Sequence, residues 1–457
     1  MHSRAIRRCS LLAMFSLAGC SSAGHEGPDA ALRGGADAGK LDSGKPRVDA
    51  RASSSHDAGD TRTPTRDAGA EDAGHDSGAS SPVMPVISFG VPAYAESEQS
   101  PASKANDGSQ NNSWRSVGYP TWLAYDLSSQ PAAARQKVFV SWWSPSNYGY
   151  DATESGGTSY NLPGAYVLEG NPGPGGTGSA PTTGWVQLND PTGSAISVTG
   201  NTLSGREHVA MLGGMSWIRF RTTTGATTNA SENLDAQLAM DVHDASRGID
   251  AWNFLGDSIT AFFQIHNAGT GVAPTGYADG NFQSLVHGGA TGLFTGNAAY
   301  RPAFNGNGLP DTDTTYWVTN LSKYLPLWPS PYVGIQLGAN DAASNPSLFN
   351  SNMVSIITAL LAAGKSVYVA TPSWQSVSEG HQDMTMLAAQ VPLLVAHFAG
   401  KPVYAGPDMF AFFSQTADQT YITQCLAPGN CGLHPVAAGQ AIMRNLWAEN
   451  AFKARYP

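Results

Sequence analysis

A serine stands where a buried strand is predicted to end. The apolar run at 252–255 is typical of an inner strand of a parallel sheet, and Gly256, which permits a sharp turn, follows it directly. Ser258 then lies at the carboxyl end of the strand, where open α/β sheets place their ligands. A serine hydroxyl in this position can act as a nucleophile, although Gly-Asp-Ser alone is also a common turn sequence.

Two further side chains supply what a serine nucleophile needs. A serine hydroxyl is weakly nucleophilic at neutral pH and requires a base within hydrogen-bonding distance. His434 can be that base, because Pro435 places it at the start of the last predicted helix. Asn340 follows the apolar run at 332–337, and its amide can stabilise the negative charge that develops on a carbonyl oxygen during acyl transfer.

These side chains belong to a region, 248–457, in which strand-like and helical patterns alternate. The strand-like runs lie at 252–255, 332–337, 366–370 and 402–405. Helical faces separate them, and the clearest consists of Met353, Ile356, Ile357, Leu360 and Leu361. Strands that alternate with helices of this length specify βαβ units, so we expect a parallel sheet covered by helices on both faces.

The preceding region, 83–247, has an all-β pattern. Strand-length segments rich in aromatic and β-branched residues alternate with clusters of Gly, Pro, Asn and Ser, which predicts a sandwich or a barrel. The order of 105–108, Trp114, 122–127, 166–170 and Trp185 is similar to that of a discoidin-like jelly roll, a family whose members often bind carbohydrate.

That resemblance implies a sugar-binding role for aromatic side chains of this region. The candidates for stacking on sugar rings are Trp142, Trp143, Tyr148 and Tyr150. Packing in the sandwich core is the alternative for these four residues. For the region as a whole, the alternative is a purely structural cap on the next domain.

The N-terminus has the features of an exported lipoprotein. In residues 1–20, three arginines precede an apolar run at 11–17, as in a signal peptide. The sequence Leu-Ala-Gly-Cys at 17–20 resembles a bacterial lipobox, which implies cleavage before Cys20 and a lipid anchor on its thiol; ordinary cleavage is the alternative. Residues 21–82 repeat Asp-Ala-Gly and contain almost no large apolar side chains, so we expect a disordered tether. The predicted location is the bacterial cell surface or outer membrane, or outside the cell.

Composition excludes several classes of protein. The formal net charge of −10 argues against a nucleic-acid partner. After the signal peptide no apolar span is long enough for a transmembrane helix. His287, His381 and His397 lack metal-ligand spacing with carboxylates or cysteines, so no metal or other cofactor is expected. The oligomeric state cannot be inferred from these features.

Three blocks of sequence, taken in order, resemble the SGNH (GDSL) hydrolases. They are Gly256-Asp257-Ser258-Ile259-Thr260, Leu337-Gly338-Ala339-Asn340-Asp341 and Leu433-His434-Pro435. The resemblance covers about 251–453 and implies a flavodoxin-like three-layer α/β/α domain with a parallel sheet. It also implies a carboxylic ester hydrolase in which Ser258 attacks the carbonyl and His434 transfers the proton. The N–H of Ser258 and the side chain of Asn340 then form part of the oxyanion hole.

The block at 305–312 departs from the family pattern. The family supplies a third oxyanion donor from a glycine N–H at this place. One alignment puts Pro310 there, and proline has no N–H to donate. Another uses Gly308, which we take as the predicted donor, with Gly306 as the alternative. A turn-forming role would also account for either glycine.

A second departure concerns the acid of the triad. The family usually has an aspartate three residues before the histidine, and here that residue is Cys431. Cys425 and Cys431 are the cysteines left after the predicted signal peptide, and in an exported protein we expect them to form a disulfide. Either Ser258 and His434 act as a dyad, with a backbone carbonyl or water at the other ring nitrogen, or a carboxylate from elsewhere replaces the acid. Asp408 is the candidate for that carboxylate, and a helix cap is its alternative role.

A jelly roll followed by an SGNH domain, sometimes without the acid, is similar to one carbohydrate-esterase family that removes acetyl groups from polysaccharides. This analogy predicts a surface-anchored esterase that acts on acetyl or other short acyl esters of polysaccharide, or on a small ester. A lipid or polyester hydrolase is the second hypothesis. A glycan-binding surface adhesin whose second domain has lost activity is the third.

Overall fold

A computed structural model describes residues 84–107, 112–144, 149–154, 160–228, 230–264, 303–423 and 431–452. The predicted signal peptide and tether, with Cys20, lie outside the described residues, and so do Tyr148 and Cys425.

The first strands form two antiparallel sheets. Their bounds are β1 (Ala93–Ala95), β2 (Trp114–Arg115), β3 (Thr121–Asp126), β4 (Lys137–Trp143), β5 (Pro163–Asn171), β6 (Val186–Gln187), β7 (Ser197–Val198), β8 (Gly205–Met211), β9 (Trp217–Gly225) and β10 (Gln237–Asp244). One sheet has the order β1-β3-β9-β5-β6, with β7 paired to β5, and the other has the order β2-β10-β4-β8. Because inward-facing side chains of both sheets share one buried core, the region is a β-sandwich. Its jelly-roll connectivity stays a prediction.

Two of the aromatic residues expected to stack on sugars lie in cores instead. Trp142 is fully buried and packs edge-on against Tyr166 of the opposite sheet, with ring centroids 5.3 Å apart. Tyr150 is also fully buried, and its hydroxyl accepts a hydrogen bond of 3.1 Å from Trp328 Nε1. Their large apolar area is removed from water, so the sugar-stacking prediction is wrong for both. Trp143 is half-buried at the end of β4.

Five parallel strands form the third sheet. They are β11 (Ala251–Gly256), β12 (Ala303–Gly308), β13 (Tyr332–Gln336), β14 (Ser366–Val369) and β15 (Val403–Ala405). Their order is β12-β11-β13-β14-β15, and every neighbouring pair is parallel. This is the 2-1-3-4-5 order of flavodoxin-like sheets, as the family resemblance implies.

Helices cover both faces of this sheet. They are α1 (Ser258–Gln264), α2 (Thr314–Tyr324), α3 (Pro346–Ala362), α4 (Thr385–Ala388), α5 (Gln390–His397), α6 (Met409–Phe413), α7 (Thr420–Thr423) and α8 (Ala437–Trp447). Leu255 and its same-face neighbours pack with α2, α3 and α5, whereas Phe254 packs with α6 and α8, which gives three α/β/α layers. The predicted helical face at 353–361 lies in α3, and α8 continues into a π-helical turn, Ala448–Phe452. No helix of the described ranges combines the length and the apolarity needed to cross a membrane.

Buried polar groups join the sandwich to the parallel sheet. Glu207 of β8 is buried, and its carboxylate accepts hydrogen bonds from the Ser330 hydroxyl at 2.5 Å and from Asn253 Nδ2 at 3.3 Å. Burial raises the pKa of Glu207 to about 7, although these hydrogen bonds and the nearby Lys365 ammonium act to lower it. A carboxyl group that titrates near neutral pH therefore lies at the contact between the two sheets.

This contact predicts a pH-dependent stability. The pKa of Glu207 rises from an ordinary 4.5 to about 7 on folding, so the folded state binds more protons than the unfolded state between these values. Glu207 therefore contributes stability that falls as the pH rises through that window, by about 3 kcal/mol in all. The Glu207→Gln side chain cannot ionise. Its free energy of unfolding, measured by urea titration, should therefore fall less between about pH 5 and about pH 7 than that of wild type. The same pH slope in both proteins would contradict this assignment.

Candidate active site

Ser258 lies where β11 ends and α1 begins. A Cβ on Gly256 would lie 1.9 Å from Thr260 Oγ1, so only glycine fits this close approach. The Asp257 carboxylate then accepts a hydrogen bond of 2.9 Å from the Ile259 N–H, which caps the helix. The first N–H groups of a helix have no partner within it, and Ser258 is the first residue of α1. The predicted donation of its N–H to an oxyanion stays a prediction.

The hydroxyl of Ser258 and the imidazole of His434 form a hydrogen bond. Ser258 Oγ lies 2.8 Å from His434 Nε2, although the two residues are 176 positions apart in the sequence. Both side chains are largely buried, with exposed fractions of 5% for Ser258 and 8% for His434. This is the distance at which an imidazole can take the proton of an attacking hydroxyl.

The backbone before His434 is held by hydrogen bonds from a neighbouring loop. The Gly432 carbonyl accepts a bond of 2.8 Å from the Ser376 N–H, and His381 Nε2 donates to the Cys431 carbonyl, also at 2.8 Å. Gly432 has a φ of +82°, which glycine adopts without strain. These contacts fix the approach of His434 to Ser258. The disulfide predicted here stays a prediction, because Cys425 lies outside the described residues.

Asp408 does not replace the missing acid of the triad. Its Oδ1 accepts hydrogen bonds from Thr371 Oγ1 and from the Ala411 N–H, each at 2.9 Å, so it caps α6. Its role is therefore the helix cap that was the alternative for this residue. In the ranges that the structure describes, no group of three or more histidine, cysteine and acidic residues is arranged to hold a metal ion.

The carboxylate whose charge acts on His434 is Asp311, which the sequence analysis did not single out. Burial lowers the pKa of His434 to about 4, the Asp311 carboxylate acts to raise it, and His381 acts to lower it. Asp311 is exposed and has a φ of +60°, a conformation that aspartate tolerates better than most residues. It directly follows Pro310, in the block that departs from the family pattern.

The pKa of His434 predicts activity in acid. Only the neutral imidazole can accept the Ser258 proton, and with a pKa of about 4 it predominates at pH 5 and above. The acid limb of kcat/KM should therefore have its midpoint near pH 4 instead of at the ordinary histidine value of about 6.5. Asp311→Asn removes a charge that raises the pKa, so it should move the midpoint to lower pH. A midpoint near 6.5 in wild type would contradict the assignment.

Asn340 joins the loop after β13 to the segment after β12. Its Nδ2 donates a hydrogen bond of 2.9 Å to the Thr312 carbonyl, which uses one of its two amide hydrogens. Next to it, the Ala339 N–H donates to Asp257 Oδ2 at 3.3 Å. The Asp257 carboxylate thus links the turn that carries Ser258 to the loop that carries Asn340. Among the residues that the structure describes, no acceptor takes the second Asn340 hydrogen.

Close packing accounts for Gly308 at the end of β12. A Cβ on this residue would lie 2.2 Å from the Ala261 N atom, so glycine lets β12 approach α1. The Gly308 carbonyl accepts a hydrogen bond of 2.9 Å from the Tyr150 N–H, which connects the strand to the sandwich region. The predicted donation of the Gly308 N–H to an oxyanion stays a prediction.

Comparisons with known proteins give structural neighbours only. No protein-family model and no curated protein matches the sequence. Protein YxiM of Bacillus subtilis is similar over 79% of this chain and 88% of its own, with 12% identity and a TM-score of 0.37. A lipase/acylhydrolase from Enterococcus faecalis is similar over 43% of this chain and 93% of its own, with 20% identity and a TM-score of 0.32. An acetylxylan esterase from Geobacillus stearothermophilus is similar over 44% of this chain and 93% of its own, with 14% identity and a TM-score of 0.33. Since these TM-scores lie below 0.5, the functional proposal rests on the geometry of the site.

Proposed function

We propose that this protein is a serine-dependent carboxylic ester hydrolase. The observation that carries the proposal is the distance of 2.8 Å between Ser258 Oγ and His434 Nε2, at the carboxyl end of β11. Such a pair supports nucleophilic attack on an acyl group, because the base takes the proton as the new bond forms. The sheet edge on which they meet is the one where doubly wound α/β folds bind their ligands.

In the proposed reaction, Ser258 Oγ attacks the ester carbonyl carbon while its proton moves to His434 Nε2. The negative charge that forms on the carbonyl oxygen is stabilised by the Ser258 N–H and by the second amide hydrogen of Asn340, with the Gly308 N–H as the predicted third donor. When the tetrahedral intermediate collapses, the ester C–O bond breaks and the imidazolium gives its proton to the leaving alcohol. Water then attacks the acyl-serine by the same route in reverse and releases the acid.

The reaction would proceed without an aspartate at the usual position before the histidine. Cys431 occupies that position, so we assign catalysis to the Ser258–His434 dyad. Asp311 lies outside that dyad, but its negative charge favours the imidazolium that forms when His434 takes the proton. Its contribution should be small compared with that of a buried, hydrogen-bonded carboxylate, because the side chain is exposed and its charge is screened by water.

The substrate we propose is an acetyl or other short acyl ester, carried by a polysaccharide. The small exposed fractions of Ser258 and His434 favour a small acyl group. The adjoining β-sandwich, which is connected to the hydrolase sheet through buried hydrogen bonds at Glu207, gives the chain a second region for contact with a long substrate. The predicted lipid anchor at Cys20 would hold this enzyme at the cell surface.

Chain-length dependence tests this proposal. Purified protein should release nitrophenol from acetate and butyrate esters faster than from long-chain esters, and should release acetic acid from at least one acetylated polysaccharide. A preference for long-chain esters would instead support the hydrolysis of lipid or polyester. Turnover of none of these esters, together with binding to a glycan, would overturn the enzyme proposal in favour of an adhesin.

A further inference from the structure

Two glutamines hold the backbone on both sides of Asn340. They are the first and last residues of a segment between β14 and α4, from Gln375 to Gln382, which we call the glutamine segment. Gln375 Nε2 donates a hydrogen bond of 2.9 Å to the Ala339 carbonyl. Gln382 Nε2 donates one of 3.1 Å to the Asp341 carbonyl. The carbonyls immediately before and after Asn340 therefore both accept from this one segment.

The contact made by Gln375 is the buried one of the two. The exposed fraction is 2% for Gln375 and 6% for Ala339, whereas Gln382 is exposed. Water can replace a lost hydrogen bond at an exposed carbonyl more easily than at a buried one, so Gln375 should matter more than Gln382. The Ala339 carbonyl also shares a planar peptide unit with the Asn340 N–H, so Gln375 fixes the orientation of that unit.

The glutamine segment is itself anchored close to the proposed base. Ser376 and His381 donate to the two backbone carbonyls, described above, that precede His434. Within the segment, the Gln382 N–H donates to Gln375 Oε1 at 3.3 Å. Both ends of the Gln375 amide are therefore engaged, and the side chain cannot rotate away without losing both bonds.

A fixed backbone matters for Asn340 because an oxyanion donor has to point at one place. Its amide helps only when the N–H lies at hydrogen-bonding distance from the position that the oxyanion takes in the transition state. The side chain is already bound at one point, through the bond from Nδ2 to the Thr312 carbonyl. A turn of the peptide unit before Asn340 would move the amide away from this position, and a displacement of about 1 Å can cost about 10²-fold in rate.

We propose that Gln375 is a positioning residue for the oxyanion donor Asn340, with Gln382 in the same role to a smaller extent. This inference rests on the proposed ester hydrolysis at Ser258. Neither glutamine is assigned a contact with substrate. Each acts through the backbone that carries the Asn340 amide, and so on the transition state more than on substrate binding.

Steady-state kinetics with a nitrophenyl acetate tests the inference, with active enzyme counted by titration with a serine-directed phosphonate. Gln375→Met removes the donor at similar side-chain volume. We expect kcat to fall by about 10- to 10²-fold while KM stays within about 3-fold of wild type. The matched control is Gln390→Met, because Gln390 also donates to a backbone carbonyl, that of Met386 at 3.3 Å, but on the exposed surface of α5. This variant should keep the wild-type kcat.

A double-mutant cycle separates positioning from a general structural effect. Asn340→Ala alone should lower kcat by about 10²- to 10³-fold, the usual loss for one oxyanion donor. Gln375→Met added to Asn340→Ala should lower kcat by less than about 3-fold more, because the amide through which Gln375 acts is already gone. Equal factors in both backgrounds would overturn the inference, because a general loss of structure affects both backgrounds alike.

An unchanged kcat in folded Gln375→Met would also overturn it, and so would a rise in KM alone. If Gln375→Met does not fold, Gln382→Met decides. It changes an exposed side chain and should lower kcat at least about 3-fold, but not in the Asn340→Ala background; an unchanged kcat overturns the inference. Ser258→Ala identifies the other kind of failure. Wild-type turnover in that variant would overturn the proposed function together with this inference, whereas Ser258-dependent turnover that neither glutamine affects would overturn the inference alone.

Discussion

Ser258→Ala is expected to lower kcat/KM for a nitrophenyl acetate by at least about 10³-fold. The change removes the only atom that forms the proposed acyl-enzyme bond, and alanine introduces no group that could replace it. Alanine differs from serine by that one oxygen and keeps the Cβ, so the thermal midpoint should stay close to that of wild type. Initial rates with enzyme-concentration controls measure the effect.

The matched control for this prediction is Ser351→Ala. Ser351 lies on the exposed side of α3, where its hydroxyl donates to the Leu348 carbonyl at 3.0 Å, and it belongs to none of the three site blocks. This variant should keep wild-type activity. If Ser258→Ala kept wild-type activity as well, the assignment of the nucleophile would be wrong.

His434→Ala should lower kcat/KM by about 10²- to 10⁴-fold, the usual contribution of general acid–base catalysis. Without the imidazole, the Ser258 proton has no acceptor at 2.8 Å and the leaving alcohol has no donor. The acid limb near pH 4 should also disappear from the pH profile, because the group that titrates there is gone. A pH profile from steady-state rates tests both parts.

Two variants serve as controls for the histidine. His397→Ala changes an exposed imidazole at the end of α5 and should leave kcat/KM unchanged. Asp311→Asn should reduce activity far less than His434→Ala, because a dyad does not depend on one carboxylate. An Asp311→Asn loss equal to that of His434→Ala would show that the enzyme works as a triad with Asp311 as its acid.

Much of the hydrolase-like region could be predicted from the sequence because its signals are local. The alternation of apolar runs and helical faces identifies β11, β13 and α3, and the parallel order of the sheet follows from such alternation. The proximity of Ser258 and His434 could also be predicted, because both residues lie at strand or helix ends on one sheet edge. The apolar residues at 384–395 also have helical spacing, but the structure divides that segment into α4 and α5.

The parts that the sequence could not reveal depend on contacts between distant segments. Nothing in the sequence around Trp142 or Tyr150 shows whether an aromatic ring of a sandwich faces outward or inward, and both are buried. Glu207 looks like an ordinary exposed strand residue until Ser330, more than a hundred positions later, meets it. The influence of Asp311 on His434 likewise appears only once the fold brings the two together; an aspartate directly after Pro310 in an irregular block was the one available signal.

Covalent labelling by a serine-directed phosphonate, followed by mapping of the labelled peptide, tests the central claim most directly. The hydrogen bond of 2.8 Å to His434 should make Ser258 the one serine that reacts. The expected result is a single adduct on the peptide that contains Ser258, absent from Ser258→Ala and formed much more slowly in His434→Ala. A protein that hydrolyses esters but carries its adduct on another residue, or forms none, would contradict the account.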